Sequence, residues 1–300
     1  MTIDELLVEL GARDLQLRSN GRDLILRGNH EALEPALISA LRAHKNALLG
    51  LVGSDSDTWW SPPVTITPEM LPLVRLTSEE IERIVATVPG GAANVQDIYP
   101  LAALQEGILF HYLMGGDGDA YLRPSMYGFD SRGRLDAFIH ALQAVIDRHD
   151  ILRTAMLWEG LPEPVQVVWR NAALPVEEIE LDSGAGDAAK QLYARFDPQH
   201  YRMDVRQAPM LRVYLAYDQP NNRWLMLLLR HHLISDHSTL EVMHEEVEAH
   251  LLGKEDRLPR PLPFRNLVAQ ARLGVSQEEH EAYFRKLLSD VEEPTAPFGL

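Results

Sequence analysis

The stretch RWLMLLLRHHLISDHSTLEVM (223–243) decides the fold. Its first half contains an unbroken apolar run from Leu225 to Leu229, too continuous for a strand with one wet face. Such a run implies a central strand covered on both sides, in a sheet that carries helices. The second half departs from that pattern. Three histidines (His231, His232, His237) and Asp236 fall within seven residues, and imidazole beside an apolar strand needs a polar partner. Consecutive strand residues point to opposite faces, so His231 and His232 share one pocket only if the strand has ended. Asp236 stands at the expected N-cap of the helix STLEVMHEEVEAHLL, an ordinary place for aspartate. The residues leave three readings open: a metal site, a general base, or a hydrogen-bonded strand end. Zinc or iron would suit imidazoles plus a carboxylate, although the chain changes structure between these ligands and no second His/Asp/Glu cluster lies nearby. A serine triad through Ser235 or Ser238 lacks the G-x-S-x-G elbow.

Working outward, LRVYLAYD and RWLMLLLRHHL flank QPNN and predict a long hairpin. RLDAFIHALQAVIDRH places Leu135, Phe138, Ile139, Leu142, Val145 and Ile146 at helical spacing. The helix STLEVMHEEVEAHLL is expected to turn Leu240, Met243, Val247 and Leu251 inward. ILRTAMLW and PVQVVW read as strands, and the alternation predicts an α/β sandwich. Thr77 and Glu80 form a capping box that opens SEEIERIVATV, and PGG (89–91) closes it. GGDGD (115–119) lacks the following Lys-Ser/Thr of a phosphate loop and reads as a plain turn.

The amino-terminal residues 1–52 form a unit of their own. Thr2 caps a short helix with Leu6, Leu7 and Leu10 inward. DLQLR (14–18) and DLILR (23–27) then surround Asn20-Gly21, a two-residue hairpin signal. One helix follows, with Pro35 in its first turn and Leu33, Leu37, Leu41, Leu48 and Leu49 on its apolar face. Arg18, Arg22 and Arg27 decorate the hairpin beside Leu24 and Leu26. Residues 53–68, with Pro62, Pro63 and the pair Trp59-Trp60, read as a linker. Residues 69–300 form the body.

Composition narrows the partners. The chain has 300 residues, 46% of them hydrophobic, and a net charge of −16. That charge argues against nucleic acid or an anionic membrane as partner. There is no cysteine, which removes disulfides, thiolate metal sites and a thiol nucleophile and fits a reducing cytoplasm. No apolar run approaches the roughly 20 residues needed to span a bilayer, and MTIDELLVEL is acidic, unlike a signal peptide. A cytoplasmic protein is the expectation.

HHLISDH (231–237) resembles the HHxxxDG motif of condensation domains in nonribosomal peptide synthetases, which share the chloramphenicol acetyltransferase fold. YPLAALQEGILFH (99–111) is similar to the first core motif of that family, and RHDILRT (148–154) to the second, RHxxLRT. HYLMGGDGD (111–119) is similar to HH[IL]xxxxGD, the additional motif of dual epimerisation/condensation domains. His111 and Asp119 are in place, and Tyr112 stands where that motif has a second histidine. Residues 1–52 resemble a tubulysin-type docking domain, a helix–hairpin–helix unit. The resemblance implies an α/β (α+β) fold: this docking domain followed by the first lobe of a condensation domain, without the second lobe, so that the chain would be inactive alone.

The implied chemistry is attack of an acceptor aminoacyl thioester's amine on a donor peptidyl or acyl thioester. Both substrates ride on the phosphopantetheine of carrier proteins, with no cofactor or metal bound to the chain itself. The resemblance assigns catalysis to His232, as base or as positioner of the amine, and makes His231 a shaping residue. It gives Asp236 a structural role, paired with Arg153 or else Arg148. His237 occupies the position of the motif's glycine. The docking surface (Arg18, Arg22, Arg27, Leu24, Leu26) would capture an upstream synthetase's carboxyl-terminal peptide and could self-associate. The alternatives are a pure interaction module and a metal-dependent hydrolase.

Overall fold

The structure, a computed structural model, describes residues 6, 9–11, 13, 15–19, 23–28, 34–52, 65–182, 184, 186–274 and 277–291. Thr2, Asn20, Gly21, Arg22, Leu33 and the tryptophans 59 and 60 lie outside them. The chain divides into two compact units, residues 1–72 with 76–95, and residues 73–75 with 96–300.

In the first unit, β1 (Gln16–Ser19) and β2 (Leu24–Arg27) pair antiparallel, Gln16 opposite Arg27 and Ser19 opposite Leu24. The single helix expected after Pro35 is two helices, α1 (Pro35–Ala43) and α2 (Lys45–Val52), parted at His44. Pro35 occupies the first helical turn, where its missing N–H has no partner to lose. Leu6, Leu10, Leu15, Leu17, Leu37, Ala40, Leu48 and Val52 form the core. In α3 (Ser78–Thr87) the capping box is closed: Glu80 N–H donates to Thr77 Oγ1, and Thr77 N–H to the Glu80 carboxylate.

The second unit holds two sheets among the described residues. The smaller runs in the order β3 (Val95–Pro100), β6 (Val165–Trp169), β5 (Thr154–Leu157). The larger runs β4 (Leu122–Phe129), β9 (Arg223–His231), β8 (Leu211–Asp218), β7 (Val176–Glu178). The predicted hairpin is present, with Leu211 opposite Arg230 and Asp218 opposite Arg223. β9 is an inner strand, and Leu225 to Leu229 are all 2% exposed or less. Burying each such side chain stabilises the fold by about 1.5–3 kcal/mol, so this strand anchors the lobe.

Helix α5 (Arg132–Arg148) and helix α7 (His237–Leu251) pack on one another and cover one face. There Phe138 meets Tyr127 and Phe129 of β4. Helix α6 (Ala188–Arg195) serves the other face, where Phe196 stacks on Tyr214 of β8 at 3.5 Å. Met243 and Val247 of α7 are buried as their spacing predicts, but Leu251, expected inward, is exposed. No helix among the described residues is long and apolar enough to cross a membrane.

β4 is the strand that no sequence signal announced. It contains Pro124 and Gly128, residues that weaken a strand interior. It is tolerated because β4 is an edge strand among the described elements, pairing with β9 on one side. Helix α4 (Ala103–Met114) leads into it, and these elements together with the end of β9 bring the motif residues to one place.

Candidate functional site

His231 is the last residue of β9, opposite Leu122 of β4. A turn of residues 232–234 follows, and α7 starts at His237. His231 remains in the sheet, its N–H donating to Met210 O at 3.1 Å. His232 has already left it, its N–H donating to Tyr121 O at 2.9 Å. The two imidazoles are thereby given separate surroundings.

His232 is half-buried. Its Nδ1 lies 2.6 Å from the carbonyl oxygen of Ser235. A carbonyl only accepts, so Nδ1 carries a proton, and the neutral form of the ring has its lone pair at Nε2. The ring stacks on Tyr121 with centroids 6.4 Å apart and planes 17° from parallel. His231 has no exposed surface. Its Nδ1 accepts from Leu233 N–H at 3.1 Å, so the ring's proton is on Nε2, which lies 3.2 Å from Asp119 Oδ2. Asp119, 4% exposed, accepts from Tyr121 N–H at Oδ1 (3.0 Å), and its own N–H donates to Pro198 O (2.7 Å). Burial pushes the Asp119 carboxyl up, but His231, the Tyr121 N–H and Arg202 outweigh it and hold it below the usual carboxylate range.

The other motif residues surround this pair. His111, at the exposed end of α4, lies 6.1 Å from the Tyr121 ring. Tyr112 donates its hydroxyl to Met203 O (3.0 Å), meets His231 edge-on at 5.9 Å and carries the Arg202 guanidinium 4.1 Å above its ring. A cleft of about 470 Å³ opens among His111, Tyr112, Asp119, Tyr121, Pro198 and Gln199. Gly118 is required where it stands, because a Cβ there would come within 2.4 Å of Gln199 O. GGDGD is therefore more than a plain turn: its last two residues fit a backbone contact and a buried carboxylate.

Two supports of the turn were not given that role in the sequence. Gln105, 5% exposed, donates to Leu233 O (2.9 Å) and to Gln166 Oε1 (3.0 Å). Ser235 donates its hydroxyl to His231 O at 3.2 Å. Gln105 sits inside YPLAALQEGILFH, so the motif held the signal. Ser235 acts through its backbone carbonyl, and no side-chain pattern reveals that.

The structure corrects the expected pairing of Asp236 with Arg153 or Arg148. Asp236 is exposed and caps α7, Oδ1 accepting from Thr239 N–H and Oγ1–H, each at 2.8 Å. The Thr239 N–H and hydroxyl hold its carboxyl below the usual range. Arg153 is buried and gives its guanidinium to backbone carbonyls: Ile146 O (3.2 Å), Arg170 O (3.2 Å) and Trp169 O, with Gln96 Oε1 at 2.9 Å. Burial pushes its pKa down. Arg148 lies 3.0 Å from the Glu246 carboxylate, which also meets His149 Nε2 at 2.8 Å. The physical reason is position: the turn ends on the cap of α7, and the cap's own N–H groups claim the aspartate first. Asp236→Ala is accordingly expected to cost about 1 kcal/mol. In a double-mutant cycle with Arg153→Ala the coupling is expected to be at most about 0.5 kcal/mol; urea unfolding measures both.

His237 is 85% exposed in its side chain and lies 3.4 Å from Glu241 Oε1. Among the described residues no group of three or more His, Asp or Glu side chains is placed to hold a metal ion. In the first unit, Leu24 and Leu26 line a cleft of about 320 Å³ with Leu17, Ile38, Leu41 and Arg42. Arg18 and Arg27 belong to the same hairpin, and Arg22 lies outside the described residues.

Residues 95–297 match the family model described as Condensation domain. The chain belongs to that family. Malpinin synthetase of Mortierella alpina is 52% identical over 237 residues, 79% of this chain and 3% of that protein. A linear gramicidin synthase component from Brevibacillus parabrevis is 28% identical over 238 residues, 77% of this chain and 4% of that protein. The condensation chain thus spans only a few per cent of the curated relatives it matches. Among solved structures it resembles the cyclization–docking bidomain of a nonribosomal peptide synthetase from Sorangium cellulosum. There the TM-score is 0.51 at 18% identity, over 97% of this chain and 53% of that one. It also resembles the starter condensation domain of rhizomide synthetase, with TM-score 0.52 and 21% identity, over 66% of this chain and 50% of that one. The α/β fold is that of condensation domains.

Proposed function

We propose that this chain is the amino-terminal part of a nonribosomal peptide synthetase subunit, with His232 as the residue that handles the amine in amide formation. The amine nitrogen of a carrier-bound aminoacyl thioester attacks the carbonyl of a carrier-bound donor thioester. The C–N bond forms, the C–S bond breaks, and the departing pantetheine sulfur takes up the proton that the amine gives up. His232 Nε2 accepts a hydrogen bond from that amine and relays the proton. The carrying observation is the bond between His232 Nδ1 and Ser235 O at 2.6 Å, which fixes the tautomer that leaves Nε2 as acceptor. Acyl transfer of this kind asks for a positioned base more than for a metal. Tyr112 is given no part in proton abstraction, since its hydroxyl donates to Met203 O and burial pushes its pKa up; epimerisation of the donor therefore rests on the motif resemblance alone.

Residues 1–52 are assigned to docking, with residues 53–68 as linker and the lobe from residue 69. Likeness over 97% of the chain to a protein described as a cyclization–docking bidomain supports this reading. The hairpin would add the upstream subunit's carboxyl-terminal peptide as a further strand, and the same fold could pair with a second copy. The synthetase would work in the cytoplasm. Reversing charge at Arg18, Arg22 and Arg27 together is expected to weaken the upstream peptide at least about tenfold. Calorimetry of the parent and the triple variant checks this, and an unchanged affinity would remove the docking assignment while leaving the condensation reading intact.

A further inference from the structure

The geometry points to Asp119 as a positioning residue that holds His232 from two sides through one buried carboxylate. The inference rests on the reading of His232 as the amine-handling group, and adds a residue that this reading does not require. Asp119 Oδ2 faces His231 Nε2 at 3.2 Å, and Oδ1 takes the Tyr121 N–H at 3.0 Å. The first branch runs through the turn. Asp119 keeps the His231 proton on Nε2, which leaves Nδ1 free to accept from Leu233 N–H (3.1 Å). That contact, with Ile234 N–H and Ser235 Oγ–H on His231 O (3.3 and 3.2 Å), closes the turn that carries Ser235 O to His232 Nδ1. The second branch runs through Tyr121. Its N–H is held by Asp119, its carbonyl accepts from His232 N–H (2.9 Å), and its ring lies against the His232 ring.

Both branches begin at one carboxylate and end on one imidazole. Asp119 Oδ2 and His231 Nε2 are both buried, and among the described residues neither makes a hydrogen bond of normal geometry; their 3.2 Å approach to one another is an ion-pair contact. Gly118 makes the arrangement possible, since only a residue without Cβ lets Asp119 N–H reach Pro198 O at 2.7 Å. A carboxylate that fixes an imidazole tautomer is a familiar device where the imidazole itself reacts. Here it acts one residue away, on the histidine that shapes the turn.

Asp119→Asn separates this role from simple packing. The amide keeps the side chain's shape and can still accept from Tyr121 N–H. Its NH₂ then confronts His231 Nε2–H, two donors facing one another. His231 must move its proton to Nδ1 and release Leu233 N–H. Nitrogen-15 spectra of the histidine rings and amide exchange of the 300-residue chain read this directly. The expected result is a His231 tautomer change, loss of the Nδ1–H signature at His232, and Leu233 exchange faster by about tenfold or more. Condensation by the full-length synthetase should fall about 10- to 100-fold, mainly in kcat. Unchanged ring signals and Leu233 protection in a folded Asp119→Asn chain overturn the proposal. Should that variant not fold, the parent chain decides alone: His231 protonated at Nε2 supports the proposal, and protonated at Nδ1 overturns it. His232→Ala run in parallel keeps the two readings distinguishable, because its full activity would remove the base reading without touching the tautomer result.

Discussion

A synthetase carrying His232→Ala folds like the parent and loses condensation by about 10²- to 10⁴-fold. The fold is expected to survive because His232 is half-buried and its side chain makes one hydrogen bond, to Ser235 O. The turn around it is held by other groups: Gln105 on Leu233 O, Ser235 on His231 O, and His231 beside Asp119. The chemistry is expected to collapse because no other imidazole of the motif can stand in. His231 is sealed from solvent, its Nδ1 taken by Leu233 N–H and its Nε2 buried 3.2 Å from Asp119 Oδ2, and His237 lies exposed on α7 against Glu241. His237→Ala is the matched control and should leave the rate within about twofold, as for a surface change. Donor and acceptor carriers are loaded separately and the elongated thioester is followed over time. A His232→Ala rate close to the parent's removes His232 from the mechanism.

Arg153→Ala is expected to lower the unfolding free energy of the chain by about 3–5 kcal/mol, the range for removing one partner of a buried charged network. Its guanidinium, 6% exposed, serves carbonyls at the end of α5 and at the end of β6, and the Gln96 amide on β3. Removing it leaves those acceptors buried without donors and opens a cavity between helix and small sheet. Arg153→Lys keeps the charge but loses the planar fork, so it should recover less than half of the loss. Urea unfolding with an unchanged denaturant slope measures both. A loss below about 0.5 kcal/mol would show that the carbonyls find water instead.

The fold was legible where pattern and physics coincide. The run Leu225–Leu229 announced an inner strand, QPNN a hairpin, and Thr77 with Glu80 a helix start. β4 was hidden because Pro124 and Gly128 disguise a strand whose edge position makes them harmless. The site was legible in outline: the strand end, the loop and the helix cap of His231 to His237 follow from strand alternation and capping preference. The misread part was the role of the charges. The family resemblance sent Asp236 to an arginine, whereas its place at the expected N-cap already pointed to N–H groups within its own turn, and Arg153 finds carbonyl oxygens, which no side-chain pattern displays. Asp119 and His231 are far apart in sequence, and only the adjacency of β4 and β9 makes them neighbours.

The stability of the lobe should also respond to acid through Asp119. Its folded-state pKa is depressed, so its contribution is fully present above the unfolded value of about 3.9. The contribution is lost as pH falls through the lower folded value. Asp119→Asn should flatten that part of the acid-unfolding curve.

The central claim concerns one nitrogen atom. A structure of the full-length condensation domain with a non-reacting aminoacyl-pantetheine analogue in the acceptor channel tests it most directly. The account predicts the analogue's amine within about 3 Å of His232 Nε2, with Nδ1 still on Ser235 O. An amine held by other groups, with His232 Nε2 turned to solvent, would contradict it.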